Sequence, residues 1–256
     1  MFEITAIPAL QDNYIWGLRQ DDRAALVDPG QAAPALAWLA REGLRLEAIL
    51  VTHHHQDHQG GVPELRARFP NLCVFAPGNE FITTRTHPLY GGERLRILDT
   101  ETEVLFAPGH TRGHLMYLAA DAASPALFCG DVLFGAGCGR LFEGTPAQMF
   151  AALESIAALP DATRIFCAHE YTLLNLPFAA LIEPDNAAIA ARARKSQRLR
   201  QAGEATVPST LALEKATNPF LRCAIPAVAA RARSKDPHAV TPEQVFAVLR
   251  DWRDEM

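Results

Sequence analysis

The segment Thr52–His58 places four histidines and one aspartate within seven residues. Histidine supplies a neutral nitrogen ligand near pH 7, and aspartate supplies a charged oxygen that can bridge two cations. In an extended backbone alternate side chains point the same way, so His53 and His55 can bind one ion together. Asp57 and His58 follow where the chain turns, and they can face a second ion beside the first. The segment therefore predicts a site for two metal ions.

Three further candidate ligands each follow the end of a predicted buried strand, as the segment itself follows the strand Ala48–Thr52. In layered α/β folds the carboxyl ends of strands are where sites assemble. A solvated histidine-rich turn would explain the first segment alone, but not the same arrangement after three later strands. A set of nitrogen and oxygen ligands suits zinc and tolerates iron or manganese. The candidate ligands are His53, His55, Asp57, His58, His110, Asp131 and His169.

The hydrophobic patterning divides the chain into a strand-rich part, residues 1–172, and a helical part, residues 173–256. Proline, glycine and capping residues mark the ends of the elements. The predicted strands are 3–9, 14–18, 23–27, 48–52, 73–76, 103–107, 126–129 and 163–167. The predicted helices follow residue 30 and cover 62–69, 146–159, 186–201, 210–216 and 241–254. The sequence thus predicts an α/β domain with a small helical appendage.

Composition narrows the class of protein. With 256 residues, 49% hydrophobic and 21% charged, the chain is typical of a globular protein. A net charge of −5 argues against nucleic acid as the main partner, and no apolar run is long enough to predict a membrane span. The start lacks the pattern of a signal peptide, so we expect a cytoplasmic protein. Five cysteines without a Cys-x-x-Cys pair predict free thiols in a reducing compartment.

The candidate ligands lie in motifs that resemble those of the metallo-β-lactamase superfamily. The similar pieces are Thr52–His58, Pro108–His114, Cys129-Gly130-Asp131 and Ala168–Tyr171. The resemblance implies a four-layer αββα sandwich with the metals at one edge. It also implies that His53, His55 and His110 bind one ion, that Asp57, His58 and His169 bind the other, and that Asp131 bridges the two ions.

A closer resemblance, to the glyoxalase II or hydroxyacylglutathione hydrolase family, extends nearly end to end. It is carried by Gln11–Tyr14, Gly137–Thr145, His169–Thr172 and Asn218–Arg222. Two adjacent cations can supply a bridging hydroxide, which we expect Asp57 to orient, and the resemblance implies that this hydroxide hydrolyses S-(2-hydroxyacyl)glutathione thioesters, such as S-lactoylglutathione. This is the second step of methylglyoxal detoxification. It further implies that the helical part binds the glutathione portion of the substrate.

The same resemblance implies four substrate-binding residues. Arg140 matches a basic position that meets a glutathione carboxylate, Tyr171 matches a tyrosine that contacts substrate, and Arg253 matches a basic residue of the last helix. Phe142 stands where many members have a tyrosine, so it lacks that hydroxyl contact. We expect two divalent cations, most simply Zn²⁺, with the glutathione thioester as the partner of a monomeric enzyme.

Other functions remain open at this point. The scaffold also supports lactonases, β-lactamases and nucleases, and the related glutathione persulfide dioxygenases bind a single iron. The complete second set of ligands favours two metals, and the intact ligands argue against a non-enzymatic scaffold. Outside the ligand set, we expect His114 to support the site without binding metal, and Asp28 either to do the same or to form a turn. The arginines of residues 192–200 fit a solvated helix face.

Overall fold

Two six-stranded mixed sheets form the centre of the molecule in a computed structural model that describes residues 2–120 and 124–256. The first sheet has its strands in chain order: Glu3–Ala9 (β1), Asn13–Gln20 (β2), Arg23–Val27 (β3), Arg45–Leu50 (β4), Cys73–Pro77 (β5) and His87–Leu89 (β6). The second contains Arg94–Ile97 (β7), Thr100–Phe106 (β8), Leu115–Ala119 (β9), Ala126–Gly130 (β10), Arg164–Cys167 (β13) and Ser209–Thr210 (β14). Along the chain, β10 is followed by a short hairpin, Leu133–Phe134 (β11) and Gly137–Cys138 (β12), which precedes β13.

The first sheet is apolar on both faces, because it is covered on both sides. On β2, Trp16 and Leu18 belong to the core shared with the second sheet, whereas Ile15 packs into a separate outer core. That outer core also contains Trp38 and Leu39 of the helix Ala32–Glu42 (α1). Side chains alternate across a strand, so residues of both parities must be apolar when both faces are buried.

Helices complete the layers and then continue as the helical part of the chain. The helix Pro146–Ala157 (α4) buries one face, with Met149, Leu153 and Ile156, in the core of the second sheet. The helices after α1 are Gln56–Gln59 (α2), Val62–Arg68 (α3), Pro146–Ala157 (α4), Thr172–Ile182 (α5), Ala187–Gln201 (α6), Leu211–Thr217 (α7), Pro226–Arg233 (α8) and Pro242–Asp254 (α9). The predicted αββα sandwich with C-terminal helices is confirmed.

The start of the last helix was predictable from its capping residues. The side chain of Thr241 accepts a hydrogen bond from the backbone N–H of Gln244, and the side chain of Gln244 accepts one from the backbone N–H of Thr241. Pro242 occupies the first helical position, where a missing N–H costs nothing. The α9 helix then buries Val245, Phe246 and Leu249.

The C-terminal region also adds a strand to the second sheet, which the sequence reading missed. Arg164 of β13 pairs with Thr210, and Ile165 pairs with Ser209. A strand of two residues is too short to show an alternating pattern. The helical region and the strand-rich region therefore share one sheet.

One arginine of the 192–200 stretch contradicts the predicted solvated face. Arg192 is buried and donates hydrogen bonds to both carboxylate oxygens of Glu214 and to Thr217. The prediction is wrong there because a buried carboxylate on α7 gives that guanidinium a partner.

Two smaller findings concern thiols and membranes. All five cysteines are free, and four of them are buried. In the part of the chain that the structure describes, no helix has both the length and the apolar character needed to cross a membrane.

The candidate ligands follow strand ends that meet at one edge of the sandwich. In the second sheet β8, β10 and β13 run in the same direction, so their carboxyl ends lie together. Backbone hydrogen bonds join the two sheets at this edge, from Leu115 to Thr52 (2.9 Å) and from Tyr14 to Ala168 (2.7 Å). These bonds bring the end of β4 beside the ends of the other three strands.

Candidate metal centre

Three histidines converge as the first group of possible metal ligands. His55 Nδ1 lies 3.0 Å from His53 Nε2 and 3.0 Å from His110 Nε2. His53 and His110 are buried, and His55 is partly exposed. This group is the one that the sequence assigned to a single ion.

The second group combines a carboxylate with two histidines. Oδ2 of Asp57 lies 3.4 Å from Nε2 of both His58 and His169. Asp57 and His58 are brought together by the short helix α2, whereas His169 follows β13. Residues that lie far apart in the chain thus form a compact group of nitrogen and oxygen donors.

Asp131 stands between the two groups and offers one oxygen to each. Its Oδ2 lies 3.4 Å from His110 Nε2, and its Oδ1 lies 3.5 Å from Nε2 of both His58 and His169. It follows Gly130, whose φ of +48° and close approach to Thr52 and His114 leave no room for a side chain. The carboxylate of Asp131 therefore lies within reach of both groups of candidate ligands.

The donor atoms fit divalent cations on two observations. His58 Nε2 and Asp131 Oδ1 are buried and have no hydrogen-bond partner among the described residues, which a native protein rarely leaves unexplained. Zn–N bonds of about 2.0–2.1 Å at tetrahedral angles separate neighbouring ligands by about 3.4 Å. The separations of 3.4–3.5 Å around Asp131 match that spacing.

Electrostatics at the centre also fit metal ligation. Burial lowers the pKa of His53, His55 and His110, which keeps these imidazoles neutral as ligands must be. Burial opposes the charged forms of Asp131, His58 and His169, but the attraction between the carboxylate and the two rings outweighs it. The pKa of Asp131 lies well below its usual value, and the pKa values of the two histidines lie above theirs. The centre therefore holds a buried carboxylate that requires positive charge beside it.

Each histidine whose Nε2 faces Asp131 makes a hydrogen-bond contact through its other ring nitrogen, Nδ1. Nδ1 of His58 lies 2.9 Å from Asp28 Oδ2, and Nδ1 of His169 lies 2.8 Å from Asp12 Oδ1. Nδ1 of His110 donates to the carbonyl oxygen of Arg140 at 2.9 Å. Such contacts fix the ring orientation and the tautomer that leaves Nε2 free for a metal.

Sequence reasoning identified some of these supporting residues and missed others. Asp28 supports His58, and His114 accepts a hydrogen bond from the backbone N–H of Asp131 at 3.2 Å, as expected of a supporting residue. The roles of Asp12 and Asn13 were missed, although both belong to a motif that carries the resemblance. Asn13 donates to Asp57 Oδ2 at 3.0 Å.

His54 points away from the two groups and joins a second set of contacts. Its Nδ1 lies 3.1 Å from Glu80, and its Nε2 lies 3.2 Å from Glu143. Glu143 also accepts from the backbone of Arg112, so it ties the loop after β12 to the loop of His110. These contacts stabilise the loops that carry the ligands.

A cavity of about 470 Å³ opens beside the metal centre, and the four predicted substrate residues lie along it. The candidate ligands His110 and Asp131 line it too. Arg250, which the sequence reading did not single out, lines it as well. Because Arg250 is almost fully buried on α9, its position resembles a core position and gives no sequence signal. The substrate residues along the cavity are Arg140, Phe142, Tyr171 and Arg253.

Aromatic rings line the approach to the centre. The ring of Tyr171 stacks on His169 at 4.6 Å between centroids, and the edge of Phe134 meets Tyr171 at 5.2 Å. Phe142 lies edge-on to His55 and His110 at 5.5 and 5.2 Å, with most of its surface exposed. These rings shield the ligands and offer an apolar wall to a bound molecule.

The hairpin β11–β12 carries Phe134 and leads to Arg140, and the helical region holds it in place. Asn218 donates to the carbonyl oxygens of Phe134 (3.2 Å) and Gly137 (2.9 Å). Glu214 accepts from the backbone N–H of Ala136 at 2.9 Å. The C-terminal region thus positions part of the cavity wall.

Comparison with known proteins agrees with this fold and site. Residues 12–169 match the profile of the metallo-beta-lactamase superfamily, and residues 170–256 match that of the hydroxyacylglutathione hydrolase C-terminus. The chain is 54% identical to a hydroxyacylglutathione hydrolase of Dechloromonas aromatica, over 99% of each chain, and 50% identical to one of Aliivibrio salmonicida over the whole of both. The solved structure of TTHA1623 in a di-iron-bound form is 26% identical, with a TM-score of 0.60, over 86% of this chain and all of that one.

The two sheets and the ligand-bearing edge define a metallo-β-lactamase-fold hydrolase. Since relatives of about 50% identity align over the full length, the chain belongs to the hydroxyacylglutathione hydrolase family.

Proposed function

We propose that this chain hydrolyses S-(2-hydroxyacyl)glutathione thioesters, such as S-lactoylglutathione, to the 2-hydroxy acid and glutathione. One observation carries the proposal: the candidate ligands His110 and Asp131 line the same cavity as the arginines. A thioester with an anionic thiol portion can therefore reach the metal centre while its carboxylates meet guanidinium groups. The family membership supports the same substrate class.

We propose two divalent cations, most simply Zn²⁺, as the cofactors. His53, His55 and His110 would hold one ion, Asp57, His58 and His169 would hold the other, and Asp131 would bridge them. The nitrogen and oxygen donors and their spacing support zinc, and iron or manganese would also fit. The di-iron form of TTHA1623 supports a site for two ions. Bound cations would lower the pKa of water to about 7 and polarise the thioester carbonyl.

The side chains around the centre orient the reacting groups. Asp57, held by Asn13, lies beside His58 and His169 and would direct the attacking oxygen toward the carbonyl carbon. Asp131 keeps both groups of ligands together through its two oxygens. The C–S bond then breaks, and the sulfur leaves as a thiolate. Because a thiol has a pKa of about 8.5, the thiolate is a stable leaving group and needs no general acid.

The cavity wall would bind the glutathione portion. Arg140 and Arg253 offer positive charge to its carboxylates, and Tyr171 offers a hydroxyl group beside the centre. Phe142 contributes an apolar surface next to His55 and His110. We propose that residues 1–172 supply the metal chemistry and residues 173–256 supply the glutathione side of the cavity. We further propose a monomer in the cytoplasm, where the five free thiols remain reduced.

Metal content and thioester hydrolysis should be measured on the same preparation. We expect about two metal ions per chain and hydrolysis of S-lactoylglutathione that a chelator abolishes and zinc restores. Replacing Asp57 with Ala should lower both metal content and turnover. Full activity of that variant with both metals retained would exclude the orienting role. One iron per chain with oxygen consumption on glutathione persulfide would overturn the proposed function in favour of a dioxygenase.

A further inference from the structure

One carboxylate lies among the arginines of the cavity. Oδ1 of Asp254 is 3.2 Å from Arg140 Nε and 2.9 Å from Arg250 Nη2. The two guanidinium groups come from different regions, since Arg140 follows the hairpin and Arg250 lies on α9. A single oxygen thus joins the loop of the catalytic region to the last helix.

The two arginines differ in how firmly they are held. The side chain of Arg250 is 5% exposed, donates to the carbonyl of Cys138 at 2.9 Å and lies over the ring of Phe220. The side chain of Arg140 is 62% exposed and forms an ion pair with Asp254. Arg140 therefore depends on Asp254 for its orientation far more than Arg250 does.

The position of Asp254 on its helix is unfavourable for stability. It is the last residue of α9, where the helix dipole favours a positive side chain and disfavours a carboxylate. Arg140, Arg250 and Arg253 also repel one another where they line one cavity. A carboxylate placed between two of these charges offsets that repulsion and keeps the side chains together.

We propose that Asp254 is a positioning residue for substrate recognition, which holds Arg140 beside Arg250 so that an anionic thioester meets a preformed pair of guanidinium groups. The proposal rests on the proposed function, because the ligand is the carboxylate-bearing thiol portion of that substrate. Preformed binding groups raise affinity by removing the entropic cost of ordering long side chains at the moment of binding. Asp254 would act on binding and leave the chemical step alone.

The test compares Asp254→Asn with Asp251→Asn, a matched control that makes the same charge change on an exposed position of the same helix. Steady-state kinetics are measured with S-lactoylglutathione and with a small acyl thioester of a neutral thiol. We expect Asp254→Asn to raise KM for S-lactoylglutathione about threefold to tenfold with little change in kcat. The neutral thioester and the control variant should show no such change.

A double variant shows whether Asp254 acts through Arg140. In an Arg140→Ala background, adding Asp254→Asn should have no further effect on KM. A lower KM in Asp254→Asn would overturn the proposal, because Asp254 would then compete with the substrate. An equal loss with the neutral thioester, or full additivity with Arg140→Ala, would also overturn it. Absence of S-lactoylglutathione hydrolysis by the unaltered chain would instead refute the proposed function.

Discussion

Asp28 holds His58 from the side away from the candidate metals. Its Oδ1 accepts from the backbone N–H of Thr52 at 2.7 Å, and its Oδ2 accepts from the Thr52 hydroxyl at 2.7 Å and lies 2.9 Å from His58 Nδ1. The residue has a φ of +50°, a conformation that asparagine also tolerates. Replacement by asparagine therefore changes the chemistry of the contact while keeping the backbone.

We predict that Asp28→Asn weakens metal binding at the second group of ligands roughly 10- to 100-fold. Both carboxylate oxygens of Asp28 accept hydrogen bonds, whereas the asparagine amide has one accepting oxygen and would turn a donating NH₂ group toward Thr52 or His58. Competition with a chromogenic chelator measures the affinity of each site. Asp21→Asn, at an exposed turn position that also has a positive φ, is the matched control. Unchanged zinc affinity in Asp28→Asn would show that His58 needs no support from this carboxylate.

Among individual residues, the sequence indicated the candidate ligands more clearly than the side chains that hydrogen-bond to them. His110, Asp131 and His169 stand out because each follows a strand end. Asp12 has no such signal, since its contact with His169 spans 157 positions of the chain. Contacts of that range depend on how the sheets stack, which hydrophobic patterning does not specify.

The amide side chain of Asn218 helps to hold the hairpin β11–β12 in place. Asn218 is fully buried, donates to two hairpin carbonyls and accepts from the backbone N–H of Phe220 at 3.1 Å. Removing it takes these hydrogen bonds from a buried site, where a polar group left without a partner costs about 1–3 kcal/mol.

We therefore predict that Asn218→Ala lowers the free energy of unfolding by roughly 2–4 kcal/mol. The hairpin that leads to Arg140 should also become less ordered, so KM for S-lactoylglutathione should rise. Urea unfolding and steady-state kinetics check the two effects. Asn186→Ala removes another helix-capping amide, one at a part-buried site away from the cavity, and should lower stability without changing KM. If Asn218→Ala lowers stability but leaves KM unchanged, the order of the hairpin does not contribute to substrate binding.

Element prediction succeeded where patterns were long and failed where they were short or interrupted. The strands β1 and β3 match the predicted bounds, because each has a clear apolar pattern and a turn beside it. The strands β11, β12 and β14 have two residues each and show no period. The helix α5 was not predicted, and it contains Pro177, which ordinarily interrupts a helical pattern.

In the whole molecule, a buried ion pair stabilises the helical region. Glu214 is fully buried and accepts from Arg192, Ser209, Asn218 and the backbone of Ala136. Burial opposes its ionisation, but Arg192 outweighs that effect and holds the pKa of Glu214 below its usual 4.5. A pKa lowered by folding gives stability that is present above the unfolded pKa and is lost as pH falls toward the folded pKa.

We predict that Glu214→Gln lowers the free energy of unfolding by about 3–5 kcal/mol at about pH 7, because Arg192 then remains buried without a counter-charge. The difference from the unaltered chain should shrink below about pH 4.5, where the unaltered chain begins to lose the same stabilisation. Urea unfolding at several pH values tests both statements. Asp161→Asn, which removes the exposed pair with Lys215, should cost at most about 1 kcal/mol. A difference that grows as pH falls would contradict the assigned role of Glu214.

The α/β class of the first region could be predicted from its apolar strand runs and helical stretches, whereas the four-layer arrangement followed from the resemblance of the ligand motifs. The way in which the two regions join could not be predicted. It depends on short pairings such as that of β13 with β14, and on single buried side chains such as Asn218 and Glu214. Each of these forms only when distant segments have already packed together.

The pairing of β14 with β13 has a consequence for any attempt to divide the protein. A fragment that ends near residue 172 would retain β13 but lose the strand that covers its outer side. The uncovered backbone N–H and C=O groups would be free to pair with another fragment, which is a common route to aggregation. The boundary seen in sequence comparisons is thus a poor place to cut, and a shortened catalytic fragment would need residues 209–210, or a substitute for them, to remain soluble.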